Sequence, residues 1–175
     1  TLILGLTFAG AGSTLIKSKP DLKLVGHLFH LVAAGLIPFG AFVFLYEMDI
    51  EATLGVSTFI FLLMSACYGV LALYHKSVVL TFIKAVHGTI FAYLFVAFLI
   101  EDTALAREAD VIFTYLTMAI GSMYLFSAHV IQKGFLVWNK GLEDHFFNFF
   151  GSGMFLGAGF VRVVETEAIM WEMLF

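Results

Sequence analysis

Charge is scarce in this chain. Of its 175 residues only 13% are Asp, Glu, Lys or Arg, 61% are apolar and the mean hydropathy is +1.00. Soluble domains carry about 25% charged residues, so a soluble globular domain is excluded. No long polar segment interrupts the apolar sequence, which leaves no room for a soluble domain beside a membrane anchor. A single cysteine, Cys67, rules out an internal disulfide and leaves the redox compartment open. No run of Lys and Arg points to a nucleic-acid partner, and no Asn-x-Ser/Thr sequon points to a glycosylated loop. Catalytic signatures are missing too: there is no HExxH, no HxxxH pair and no Gly-x-Ser-x-Gly. The chain begins at Thr1, not Met, so an initiator or targeting segment can precede it.

What is present is a series of apolar blocks, each long enough to be weighed against a hydrocarbon core about 30 Å thick. Six are read at about 1–16, 22–46, 53–74, 78–100, 111–132 and 146–162, followed by a tail at 163–175 whose acids alternate with Ile169, Trp171 and Leu174. The tail suits an interfacial helix. The expected fold is an all-α integral membrane bundle of about six transmembrane helices forming one domain over 1–175. Pro38, inside the second block, is tolerable where neighbouring helices satisfy the freed carbonyl, and it predicts a kink.

Charge segregates by connector. The first, third and fifth connectors with their adjoining span ends hold Lys17, Lys19, Lys23, Lys76, Lys84, Lys133 and Lys140, seven of the nine basic residues. The second and fourth connectors and the tail hold ten of the thirteen acids. Because Lys and Arg are retained on the cytoplasmic or equivalent side, this alternation predicts both termini on the acidic side. Trp138 and Tyr74 fit an aromatic belt on the basic side, and Tyr46 fits one on the acidic side.

That topology brings all six histidines into the leaflet beside the basic surface. His27 and His30, three apart, share a helical face, as do Lys84 and His87. Ionisable residues within spans are costly, and a functional site is their default reading. His27, His30, His87 and His129, with His145 and Glu143 near the last crossing, are therefore candidates for a site that ligates haem iron or a divalent metal, or that relays protons. The competing reading is that histidine, being amphipathic, settles near helix ends against water, headgroups or a carbonyl. His75 and His145 are assigned to that interfacial kind. Gly151, Gly153, Gly157 and Gly159 give the last span a small-residue pattern suited to close helix packing, within the chain or with a partner.

Three motifs resemble the transmembrane protein 45-like family, a group of multi-pass membrane proteins. The glycine-rich run from Gly5 to Gly12 is similar to that family's first span. The run from His87 to Tyr93, a histidine followed by small and aromatic residues, is similar to the opening of a later one. His129 followed by Leu142, Glu143, Asp144 and His145 is similar to its last crossing, although Phe147 stands where the family has a second histidine. The resemblance implies a fold and a histidine pattern, and no activity.

Together these features lead to a non-catalytic multi-pass protein that acts by packing, as a structural or accessory subunit of a larger membrane complex. Its expected partners are membrane lipids and other integral subunits, with no nucleic acid. An energy-transducing membrane such as the mitochondrial inner membrane is favoured. The alternatives are a histidine-based haem, metal or proton-transfer protein and a small transporter or channel. The last is opposed by the absence of an inverted repeat and by charges lying near one surface instead of the midplane.

Overall fold

The computed structural model describes residues 1–133 and 142–174, without the side chains of Pro20, 142–144 and 165–174. Trp138, Lys140, Glu143 and the aromatic and acidic side chains of the tail, all assigned roles above, therefore lie outside the described set. The chain is an all-helical, multi-pass membrane protein, with no strand among the described residues. Its helices are α1 (Leu2–Ser18), α2 (Lys23–Glu47), α3 (Leu54–His75), α4 (Val78–Ile100), α5 (Ala109–Gln132) and α6 (Leu142–Leu174). Five of them are long and apolar enough to cross a membrane, whereas α1, at 17 residues, falls just short by the same measure. The α6 helix starts earlier and ends later than its apolar stretch, because helical backbone continues through the acid-rich tail.

Polar caps punctuate the apolar sequence where it must turn. The Thr53 hydroxyl accepts from Val56 N–H at 3.3 Å and starts α3. Lys76 closes α3 in the left-handed region, at φ 47°. Ser77 then caps α4 by accepting from Leu80 N–H at 3.4 Å, so two residues join α3 to α4. Thr103 caps the 3-10 turn Ala104–Glu108 that leads into α5.

Two compact units result, Thr1–Leu99 and Ile100–Phe175. In the first, α1 lies against α2 at a seam of glycines. A Cβ added to Gly12 would stand 2.8 Å from Gly26 O, and one added to Gly26 would stand 2.8 Å from Gly12 O. Only residues without side chains let the two backbones meet so closely. The α2–α4 part of this unit buries Met64, Tyr68, Ala72, Leu80 and Ile83 as its core. In the second unit α5 and α6 meet at an equivalent seam, where a Cβ on Gly121 would lie 2.9 Å from Gly151 O. Arg162 on α6 lies 6.0 Å from the ring centroid of Tyr115 on α5, a cation–π contact.

Candidate functional site

Pro38 lacks an N–H, so the Ala34 carbonyl one turn earlier loses its helical partner. Within a bilayer that oxygen has no water to turn to and needs another donor. The structure sets His87 of α4 across from it, with Nε2 3.2 Å from Ala34 O. The other ring nitrogen, Nδ1, lies 2.8 Å from Ile83 O, one turn back on α4. His87 is 5% exposed, and Tyr68 stacks on its ring at 5.7 Å with Phe61 at 5.8 Å. A neutral imidazole carries one N–H, and here two carbonyl oxygens face its two nitrogens.

Tyr68 joins this arrangement to a second one. Its ring, 2% exposed, meets the His30 ring edge-on at 6.0 Å, and its hydroxyl donates to His30 O at 3.2 Å. His30 is fully buried, and its Nε2 lies 3.2 Å from Ser13 Oγ on α1. The His30 ring packs directly over Gly12, where a Cβ would come within 2.9 Å of its Cδ2. On α3 the His75 ring lies 6.5 Å from that of His30. His30 Nδ1 and His75 Nε2 are the buried side-chain nitrogens without a hydrogen-bond partner among the described residues.

The membrane-edge end of this cluster is polar. Lys17 Nζ donates to Tyr74 OH at 3.0 Å and sits 5.6 Å from that ring, while Tyr74 meets His75 edge-on at 4.9 Å. The Ser77 hydroxyl accepts from Leu80 N–H and is also hydrogen-bonded to His27 Nδ1, 3.4 Å away. Lys17 of α1, His27 and His30 of α2 and His75 of α3 thus gather at one end of the first unit.

Of the histidines expected to form a site, His27, His30 and His87 belong to this unit. His30 and His87 both contact Tyr68. His129 lies in the last turn of α5 in the second unit and is exposed, its carbonyl accepting from Lys133 N–H at 3.0 Å; His145 is exposed near the start of α6. His75, assigned above to the interface, has one nitrogen buried beside His30. Tyr68, Ser13 and Ser77 were not anticipated. One signal was available for Tyr68: it precedes His75 by seven residues, two helical turns, and so lies on the same face of α3.

Among the described residues no three His, Cys, Asp or Glu side chains gather as a metal-binding group. A divalent ion held by three or four protein ligands does not fit the residues that converge here. What the cluster offers is a line of aromatic and imidazole rings with two unengaged ring nitrogens. The glycines also divide. Gly151 is locked against Gly121, whereas within the second unit no atom lies within 4 Å of a Cβ built on Gly153, Gly157 or Gly159. No family model, curated protein or solved structure matches the chain.

Proposed function

We propose that the protein is a non-catalytic subunit of a larger membrane assembly, acting through helix packing. The observation that supports this most directly is the pair Gly153 and Gly157, four residues apart and exposed on one face of α6, which its own α5–α6 pair leaves uncovered while the neighbouring Gly151 is fully used. Glycines at a four-residue spacing let a second helix approach within backbone contact, where dispersion and Cα–H contacts accumulate without a hydrophobic driving force. An energy-transducing membrane is the favoured setting, and the charge alternation of the connectors argues for both termini on the acidic side. Kinship with the transmembrane protein 45-like family is part of the same proposal and rests on the motifs around His87 and His145.

The test is a pair of substitutions, Gly153→Leu with Gly157→Leu, followed by blue-native electrophoresis of mildly solubilised native membranes. The expected result is a folded chain released from its high-mass band. A chain that keeps its place in that band, or a wild-type chain that runs alone, defeats the proposal.

The convergence of His30, Tyr68, His75 and His87 favours a second reading, a histidine-based proton-transfer or cofactor protein. An absorption spectrum and metal content measured on the native preparation separate the two. A Soret band or stoichiometric metal that disappears in His30→Ala establishes the second. A colourless, metal-free complex whose proton conduction in vesicles is unchanged by His30→Ala leaves the packing role.

A further inference from the structure

The cavity of about 380 Å³ beside His87 lies between α2, α3 and α4, and its walls include Ala34, Gly35, Pro38, Phe61, Ile83 and His87. Its lining is almost wholly apolar, and the size falls within the range of roughly 300–1,000 Å³ typical of small-molecule sites. The polar atoms that matter are those already described: two carbonyl oxygens, Ala34 O and Ile83 O, and the His87 ring facing both. In either neutral tautomer one ring nitrogen presents a lone pair to a carbonyl oxygen, an acceptor against an acceptor. All three residues line the cavity. The site is therefore one hydrogen-bond donor short, in surroundings where water is scarce.

We propose that this cavity binds a hydroxyl-bearing lipophile, a lipid phenol or alcohol whose O–H supplies the missing donor while its hydrocarbon body fills the apolar space. A hydroxyl can donate to the acceptor that the imidazole leaves unsatisfied, while the ring N–H stays on the carbonyl it already faces. A ketone or ether of the same shape brings only acceptors and adds to the conflict. An unmet polar group in a buried site is what makes such sites discriminate strongly between a hydroxyl and its absence. Gly35 explains why the space exists: no atom lies within 4 Å of a Cβ built there, so the helix face opposite His87 is bare. This inference does not depend on the packing role, because it concerns the first unit and involves none of the glycines of α6.

The experiment uses the full chain in lipid nanodiscs and a para-substituted phenol whose alkyl tail carries a photoactivatable diazirine. Labelled peptides are mapped by mass spectrometry, with 4-pentylphenol and its methyl ether, 4-pentylanisole, as competitors. Labelling is expected on the α2 and α4 segments that line the cavity, with the phenol competing at least tenfold better than the ether. Gly35→Leu should fill the space and abolish that labelling without lowering helix content, and Pro38→Ala, which restores an N–H for Ala34 O and so removes the shortage, should bring the two competitors towards parity. Equal competition by the ether in the wild-type protein overturns the proposal whether or not either variant folds. So does persistent labelling in a folded Gly35→Leu variant. A nitrogen-15 NMR spectrum showing both His87 nitrogens protonated in the ligand-free protein also overturns it, since the missing donor would then be a proton.

Discussion

Replacing Pro38 with alanine should make His87 dispensable. The variant restores an N–H at position 38, which can reach the Ala34 carbonyl along the helix and supply the donor that His87 provides in the tautomer protonated at Nε2, 3.2 Å away. In the wild-type background, His87→Phe keeps an aromatic ring against Tyr68 but strands Ala34 O. Interhelical hydrogen bonds in membranes average about 0.6 kcal/mol and reach about 1.7, while an orphaned buried acceptor costs about 1–3 kcal/mol. The substitution should therefore destabilise by about 1–2 kcal/mol. In the Pro38→Ala background the same substitution should cost under about 0.5 kcal/mol, because the carbonyl is already paired. The coupling energy, about 1 kcal/mol, exceeds the roughly 0.3–0.5 kcal/mol within which independent sites add. The assay is a double-mutant cycle by reversible unfolding in mixed micelles, with helix content followed by circular dichroism. Additive costs would refute the reasoning, because they would mean that the Nε2 contact with Ala34 O is not a hydrogen bond and that the proline leaves no carbonyl for His87 to rescue.

Two further outcomes test the packing. Gly26→Ala places a methyl group within 2.8 Å of both Gly12 O and Ile16 Cγ1, so α1 and α2 must separate; a loss of about 1–3 kcal/mol is expected from such overpacking, measured by the same unfolding assay. Tyr68→Phe removes the hydroxyl that donates to His30 O while leaving the ring stack intact, so a loss of about 0.5–1.5 kcal/mol is expected. A change beyond 3 kcal/mol would mean that the hydroxyl has a larger part than that one bond.

The helices were legible because the bilayer imposes a length on apolar runs. The expected 53–74 and 78–100 correspond to Leu54–His75 and Val78–Ile100. At α6 the two criteria diverge: apolar character ends near Arg162, but residues such as Glu167, Ala168 and Met170 are good helix formers and carry the backbone on to Leu174. The division into units at Leu99 has no counterpart in the hydropathy pattern, since α4 and α5 read as successive apolar spans like any other pair. The site was legible residue by residue but not as an arrangement. His30 and His75 are 45 positions apart, and nothing in their spacing places one ring 6.5 Å from the other. Pro38 announced a freed carbonyl that a neighbouring helix has to meet; that the group facing it is His87 follows only from the parallel register of α2 and α4, which also sets Ser77 beside His27. The seam of Gly12 against Gly26 was hidden for the same reason, because each glycine is unremarkable until its partner is known.

The two-residue turn at Lys76 and Ser77 bears on how the chain enters its membrane. Two residues span at most about 7 Å, so α3 and α4 cannot be threaded separately with an interval between them. Ser77, 2% exposed, is bound both to the start of α4 and to His27, which anchors the turn to α2 as soon as it forms. The hairpin must therefore be integrated as one object, and the orientation of α4 is inherited from α3. A topogenic signal placed in α4 alone has no slack on which to act, and a reporter inserted between Lys76 and Ser77 would disturb the structure it was meant to report on.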